Sequence, residues 1–237
     1  MEKPVLFEVE DGTALVTLNR PERRNAINQA LLVHLYDSLE EATRDDTVKA
    51  VIITGNGKSF CSGIDLDCIL KENLFDPRGD GVDFVDVIRA CSKPVIGAVN
   101  GHAITGGFEI ALNCDFLIAS EQACFADTHA RVGIVPGWGM TQLLQEAVGR
   151  RMARQMSLSC QFISAEKALQ CGLVNEVTAP DELLPRARQI AADIAAAKPD
   201  ILPVVKELIE FRATTTLEGG LAEERRRFHA FAKGSLL

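Results

Sequence analysis

The chain has 237 residues, of which 47% are hydrophobic and 24% are charged. This composition is typical of a soluble globular protein, and the length predicts one large core or one core with an appendage. The formal net charge of −8 argues against a nucleic-acid partner, because such proteins neutralise phosphates with Lys and Arg. The seven cysteines are scattered and include no C-x-x-C pair. They therefore predict reduced thiols in a cytoplasmic protein and exclude a small disulfide-stapled fold.

The first quarter of the chain predicts a β-hairpin, a helix and a buried strand. Apolar residues alternate on both sides of Asp11-Gly12, a dipeptide typical of hairpin turns. Asn28 is placed to cap a helix with one apolar face, and residues 51–55 read as a buried strand. Charged residues interrupt the start of the chain, so we expect no signal peptide. We expect no membrane partner either, because no apolar run reaches about 18 residues.

The middle of the chain predicts alternating strands and helices. A strand at residues 94–99, a glycine-rich turn, a helix through Glu109 and a strand at residues 116–119 follow one another. This rhythm is typical of an α/β fold.

The last quarter of the chain predicts helices only. They are expected at residues 181–197, 201–212 and 217–232. We therefore divide the chain into an α/β core at residues 1–197 and a helical C-terminal part at residues 198–237.

Two glycine-containing turns, at residues 58–66 and 100–109, are the candidate site. Each follows a predicted buried strand. Glycine permits a positive φ angle and lets a ligand approach the backbone closely. A helix that begins near Gly106 would direct free N–H groups toward an oxygen that gains negative charge. The alternative is that the paired glycines serve only tight packing.

Five groups of motifs run in order along residues 18–177. They are Leu18-Asn19-Arg20-Pro21 with Arg24-Asn25-Ala26, Phe60-Cys61-Ser62-Gly63-Ile64-Asp65-Leu66, Lys93-Pro94-Val95-Ile96-Gly97-Ala98-Val99-Asn100-Gly101, Gly106-Gly107-Phe108-Glu109-Ile110-Ala111-Leu112 with Cys114-Asp115, and Gly133 with Pro136-Gly137. In order and spacing the sequence resembles the enoyl-CoA hydratase/isomerase family, or crotonase superfamily. The resemblance implies a crotonase-like spiral of repeated β-β-α units with a helical C-terminal oligomerisation region. It also implies assembly as a homotrimer or a dimer of trimers.

The resemblance implies an acyl-CoA substrate, with coenzyme A as part of that substrate and neither a separate cofactor nor a metal. It places the thioester oxygen between the backbone N–H groups of Ile64 and Gly106, which would form an oxyanion hole. Gly63 would let the backbone turn toward the ligand. Two preorganised N–H groups at such an oxygen stabilise an enolate by several kcal/mol, since one donor is worth about 3–4 kcal/mol.

The resemblance also assigns the nucleotide end of coenzyme A. The Asn25-Ala26 stretch resembles the segment that lies along this nucleotide, and Arg24 and Ala26 are predicted to bind the substrate. Either Arg23 or Arg24 is a candidate for a phosphate contact. Simple solvation of an exposed arginine in a polar turn is the alternative.

Glu109 matches the first of two acidic residues with which hydratases of this family deprotonate water and protonate the α-carbon. It lies about one helical turn after Gly106, so its side chain should emerge near the oxyanion. A carboxylate in a dry pocket can act as acid or base. The apolar residues on both sides of Glu109 argue against a fully exposed surface glutamate.

His129 stands 20 residues after Glu109, where two-glutamate hydratases carry their second carboxylate. A neutral imidazole can accept a hydrogen bond from water and an imidazolium can protonate an enolate, so His129 is a candidate catalytic residue. Asp127 is a substitute acid if a regular strand points it to the same face. A satisfied structural histidine competes closely with both.

Trp138 follows Pro136-Gly137 in place of the small residue that is usual in hydratases. We predict that Gly137 and Trp138 contact the substrate, with the indole narrowing the acyl pocket. Filling of the core is the alternative.

The leading hypothesis is hydration of a 2-enoyl-CoA through a stabilised enolate, with Glu109 as the principal acid/base. Because the second glutamate is missing, two alternative hypotheses remain. One is a different crotonase-superfamily reaction, an isomerase or a decarboxylase, because one fold hosts several chemistries. The other is an acyl-CoA binding protein without turnover. The resemblance further predicts that the chain, ending at Leu237, lacks part of the terminal helix or tail of its relatives.

Overall fold

The computed structural model describes residues 3–234. The first two residues of the segment considered for a signal peptide, and the chain end at residues 235–237, lie outside the described residues. Within residues 3–234 we find no helix with the length and apolar character needed to cross a bilayer.

The strands of residues 3–234 form two sheets, of which the larger has six strands and the smaller has four. The strands are β1 (Val5–Glu10), β2 (Thr13–Leu18), β3 (Ala50–Gly55), β4 (Ser59–Cys61), β5 (Val95–Val99), β6 (His102–Ile104), β7 (Phe116–Ser120), β8 (Cys124–Ala126), β9 (Ile163–Ser164) and β10 (Glu176–Thr178). The larger sheet has the order β1-β2-β3-β5-β7-β10, and the smaller has the order β4-β6-β8-β9. The β1–β2 pair is antiparallel around Asp11 and Gly12, as predicted, and the other pairs of the larger sheet are parallel.

The helices surround these sheets. They are α1 (Gln29–Arg44), α2 (Phe84–Ala90), α3 (Gly106–Leu112), α4 (His129–Val132), α5 (Met140–Val148), α6 (Arg150–Ser159), α7 (Ala165–Gln170), α8 (Leu183–Ala195), α9 (Leu202–Phe211) and α10 (Leu217–Ala232), with short 3-10 turns at Pro21–Arg23 and Arg212–Thr214. The α1 helix begins as predicted, because the Asn28 side chain accepts a hydrogen bond from the Leu31 N–H at 2.9 Å.

A unit of one long strand, one short strand and one helix repeats three times, as β3-β4-α2, β5-β6-α3 and β7-β8-α4. The long strands are parallel neighbours in the larger sheet, and the short strands are parallel neighbours in the smaller. The predicted spiral of β-β-α units is therefore confirmed. Because β4, β6 and β8 lie side by side, the segments that follow them also meet, and these segments carry both glycine turns and His129.

The main core lies where α1 and α3 pack against the sheets, and a smaller apolar layer lies under α8. In that layer Ile52 and Ile96 of the larger sheet belong to one apolar cluster with the buried α8 residues Leu183 and Ala187. The α9 and α10 helices have no fully buried residue. Lys206 of α9 connects them to the core through an ion pair with Asp115 at 2.8 Å.

Candidate active site

Glu109 lies on α3 with 2% of its surface exposed. Its Oε1 atom accepts hydrogen bonds from the backbone N–H groups of Trp138 at 2.8 Å and Met140 at 3.1 Å. Asn113, one turn further along α3, donates from its side chain to the Trp138 carbonyl at 2.7 Å. These contacts fix one carboxylate oxygen of Glu109, Oε1, against the turn at residues 138–140. The expectation that this side chain is not exposed is confirmed.

The α3 helix begins at a strained residue. Thr105 has φ of +53°, which is unusual for a β-branched side chain and costs on the order of 1–3 kcal/mol. Two contacts hold it in place. Its N–H donates to the Ala126 carbonyl at 2.9 Å, and its hydroxyl pairs with that of Thr128. Thr105 therefore ties the start of α3 to the segment that carries Asp127 and His129.

His129 is the first residue of α4 and is 3% exposed. Its Nε2 lies 3.5 Å from Oε2 of Glu109, and its Nδ1 lies 2.7 Å from Oδ1 of Asp127. The same Oδ1 accepts the backbone N–H of His129 at 3.1 Å. The structure thus brings together the two acid/base candidates, Glu109 and His129. Asp127 lies beyond the end of β8, so a turn and not a regular strand brings it to His129.

The two carboxylates determine the charge of His129. Burial lowers the pKa of His129, but hydrogen bonds from its ring to Asp127 and Glu109 outweigh burial and raise that pKa to about 9. Burial likewise raises the pKa of Asp127, but hydrogen bonds from His129 and Ser157 outweigh it and lower that pKa. At neutral pH the imidazole is therefore protonated and Asp127 is ionised.

The predicted oxyanion donors are neighbours in space. Gly63 and Asp65 form backbone hydrogen bonds with Ile27, and the Ile64 N–H between them has no acceptor within the described residues. Gly106 is the first residue of α3, so its N–H has no partner inside the helix. A methyl group added to Gly106 would lie 3.6 Å from Cγ1 of Ile64. Two free N–H groups therefore lie on adjacent segments.

Two glycines of these turns allow close backbone approach. Gly63 has φ of +93°, and a Cβ atom there would lie 2.9 Å from the Ile104 carbonyl and 3.5 Å from the Gly106 nitrogen. A Cβ atom on Gly107 would overlap the Cys61 backbone. Gly107 therefore serves the tight packing of α3 on β4, whereas Gly63 keeps the Ile64 segment against Gly106.

Trp138 is 1% exposed and packs in an aromatic cluster. Its ring centroid lies 5.9 Å from that of Phe75 and 5.6 Å from that of Phe84. Cζ3 of the indole would lie 3.6 Å from a methyl group added to Gly106, so the ring borders the oxyanion donors. The preceding Gly137 faces the Phe75 ring. The sequence did not single out Phe75 and Phe84, because no local motif marks either residue.

The two candidate arginines of the segment predicted to bind the nucleotide differ in their ion pairs. Arg23 forms ion pairs with Asp65 at 3.2 Å and Asp67 at 2.7 Å. Arg24 is exposed, has φ of +53°, and forms no ion pair within residues 3–234. Ala26 is buried, and its carbonyl accepts a hydrogen bond from Arg20. Of the two candidates, Arg23 is therefore the one that is ion-paired in the described part of the chain.

The enoyl-CoA hydratase/isomerase family model matches residues 8–235 of this sequence. The chain belongs to this family. Family membership confirms the predicted resemblance, and it agrees with the buried carboxylate of Glu109 next to two free backbone N–H groups. Among the described residues no cluster of three or more His, Cys, Asp or Glu side chains is arranged to hold a metal ion.

Curated relatives cover nearly the whole chain. A probable peroxisomal enoyl-CoA hydratase 1 of Arabidopsis thaliana is 40% identical over 226 residues, which is 94% of this chain and 84% of the relative. A short-chain-enoyl-CoA hydratase of Clostridium acetobutylicum is 40% identical over 228 residues, which is 94% of this chain and 87% of the relative.

Solved structures of family members share the fold. The enoyl-CoA hydratase of Mycobacterium smegmatis has a TM-score of 0.80 at 41% identity, covering 95% of this chain and 96% of that one. An enoyl-CoA hydratase subunit of Geobacillus kaustophilus has a TM-score of 0.89 at 28% identity, covering 97% of this chain and 90% of that one.

Proposed function

We propose that this chain is an enoyl-CoA hydratase that adds water to the double bond of a trans-2-enoyl-CoA thioester. The observation that carries the proposal is the buried Glu109 carboxylate. Oε1 of Glu109 is fixed by two backbone donors, and Oε2 faces His129 one helical turn from Gly106. The named hydratases that share about 40% of the sequence support the same reaction.

In the proposed reaction Glu109 takes a proton from water while the water oxygen bonds to C3 of the substrate. The electron pair of the C2–C3 double bond moves toward the carbonyl and gives an enolate. The N–H groups of Ile64 and Gly106 stabilise the enolate oxygen, where one such donor is worth about 3–4 kcal/mol. The His129 imidazolium then protonates C2. Glu109, now protonated, returns its proton to His129 across the 3.5 Å gap between Oε2 and Nε2, which restores the starting state.

The remaining predicted site residues complete the substrate site. Arg24 and Ala26 would lie along the nucleotide of coenzyme A, and Gly63 would keep the Ile64 N–H turned toward the thioester. Gly137 and Trp138 would border the acyl chain. The indole beside Gly106 leaves little room there, which favours short acyl chains. Coenzyme A enters only as part of the substrate, and the reaction as written uses neither a further cofactor nor a metal.

The proposal includes assembly as a homotrimer or a dimer of trimers, in the cytoplasm. The C-terminal helices support assembly, because they bury no residue fully and expose large apolar side chains at Ile209, Leu217 and Phe228. Free thiols support a reducing compartment. Light scattering coupled to size-exclusion chromatography measures the assembly, and a monomer at assay concentration would contradict it.

Hydration of crotonyl-CoA, followed by the loss of absorbance of the conjugated thioester, tests the reaction. We expect turnover by the native chain. E109Q should lower kcat by about 10²–10⁴-fold, because it removes the base while keeping the shape of the side chain. Binding of a saturated acyl-CoA, measured by calorimetry, should be retained.

E121Q is the matched control, because Glu121 is an exposed glutamate in the turn after β7, and it should leave kcat unchanged. Inactivity of the native chain on enoyl-CoA of every acyl length would contradict the hydratase proposal. Conversion of a 3-enoyl-CoA without hydration would identify an isomerase instead.

A further inference from the structure

Asp127 is the third ionisable group of the site and has no part in the bond-making steps above. We propose that Asp127 is a positioning residue that holds His129 as an imidazolium with Nε2 turned toward Glu109, so that a chain of three buried groups does the work of a pair of carboxylates. This inference rests on the proposed function for its chemistry and on the geometry of Asp127 for its physical basis.

The geometry fixes the imidazole ring from two sides. Oδ1 of Asp127 accepts both the ring Nδ1–H at 2.7 Å and the backbone N–H of His129 at 3.1 Å. A carboxylate in this position selects the form of the ring in which Nδ1 carries a proton, as the aspartate of a Ser-His-Asp triad does. The other ring nitrogen is thereby directed at Oε2 of Glu109.

The surrounding charges explain why the ring is protonated. Two carboxylates face His129 with contacts to its ring, Glu109 from α3 and Asp127 from the segment after β8. The Arg131 guanidinium of α4 donates a hydrogen bond to the Cys160 carbonyl at 3.1 Å. Ser157 of α6 adds a hydrogen bond to Asp127. A neutral imidazole would leave the buried, ionised Asp127 without a positively charged partner, and that arrangement is costly in a dry site.

A protonated His129 supplies the acid of the proposed reaction. It retains its proton in the resting enzyme at neutral pH and delivers that proton to C2 only when the enolate forms. Glu109 can then serve as the base, because it takes a proton from water and later passes that proton to His129. The Asp127 carboxylate stays ionised throughout and forms no bond to the substrate.

The pH dependence of crotonyl-CoA hydration tests this role. In the native chain kcat/KM should fall near pH 9, where His129 loses its proton. Burial lowers the pKa of His129, but the contacts to Asp127 and Glu109 outweigh burial and raise that pKa to about 9. D127N keeps the shape and removes the charge. It should move the alkaline fall at least one pH unit lower and reduce kcat more than it changes KM.

D115N is the matched control, because Asp115 is also ion-paired, to Lys206 at 2.8 Å, and contacts none of the three groups. It should leave the alkaline fall in place. If D127N is too unstable to assay, S157A removes the hydroxyl that supports Asp127 and should move the fall in the same direction by a smaller amount. An alkaline fall that D127N and S157A leave unmoved would overturn the inference.

An NMR titration of the histidine ring signals separates this inference from the proposed function, because it needs no turnover. The His129 signal is assigned as the one absent from H129Q. We expect it to titrate near pH 9 in the native chain and at least one pH unit lower in D127N. If the native chain hydrates no enoyl-CoA but shows this difference, the hydratase proposal fails and the role of Asp127 stands. If it hydrates enoyl-CoA and the two titrations coincide, the role of Asp127 fails.

Discussion

The charge of His129 predicts a specific dependence of folding stability on pH. A histidine pKa that rises from 6.5 when unfolded to about 9 in the folded site corresponds to about 3 kcal/mol, since each pH unit is worth about 1.4 kcal/mol. The folded site binds the proton more tightly than the unfolded chain does. The stabilisation is therefore fully present below pH 6.5 and is lost as pH rises through about 9.

H129Q removes this contribution, because glutamine has no ionisable group in this range. The test is to measure the free energy of unfolding of the native chain and of H129Q in urea, at one subunit concentration, from pH 6 to pH 10. The difference between the two should be largest at pH 6 and should shrink by about 3 kcal/mol toward pH 10. Taking this difference cancels the titration of groups whose pKa does not depend on His129.

H102Q is the matched control. The His102 side chain is exposed and contacts neither Glu109 nor Asp127, so the difference between the native chain and H102Q should not follow this slope. A difference for H129Q that stays constant between pH 6 and pH 10 would refute the conclusion that His129 is held as an imidazolium between two carboxylates.

Three further substitutions test the surrounding structure. W138A should lower the free energy of unfolding by about 4 kcal/mol, because it empties a fully buried site. It should also raise kcat/KM for longer enoyl chains relative to crotonyl-CoA, and an unchanged chain-length profile would mean that Trp138 only fills the core. G63A should lower kcat by about 10²–10³-fold with the fold retained in circular dichroism, because a Cβ atom 2.9 Å from the Ile104 carbonyl must displace the Ile64 donor; native kcat would contradict the oxyanion assignment. N25A should lower the free energy of unfolding by about 3 kcal/mol, because three backbone carbonyls share the two N–H groups of the buried Asn25 amide and would lose this partner; a loss below about 1 kcal/mol would contradict this.

Much of the fold follows from local sequence signals. The turn at Asp11-Gly12, the cap at Asn28 and the helices at residues 183–195, 202–211 and 217–232 agree with the predicted positions within a few residues. Each rests on a turn dipeptide, a capping side chain or an apolar periodicity, and these act over a few residues. Local patterns did not predict the smaller sheet, because its four strands have only two or three residues each and show no periodicity. Only the family resemblance implied a second strand in each repeated unit.

The candidate site was predictable residue by residue but not as a set of contacts. The family motifs placed Glu109 and His129 in the chain, yet only the fold shows that Oε2 of one lies 3.5 Å from Nε2 of the other. The contribution of Thr105 was not visible in the sequence. Its positive φ and its pairing with Thr128 arise from the packing of β6 beside β8, which no local pattern encodes.

Whether position 127 can hold a buried aspartate depends on the charge of the side chain at position 129. With His129 protonated, the ionised Asp127 has a positively charged partner at 2.7 Å, so Asp127 is tolerated in a buried place. H129E would instead put three carboxylates within contact of one another, and like charges that close cannot all ionise. We therefore expect H129E alone to be less stable than the native chain and inactive, whereas H129E with D127N removes the extra charge and should recover both stability and hydration of crotonyl-CoA. Equal stability and activity of the single and double variants would show that the two positions are independent.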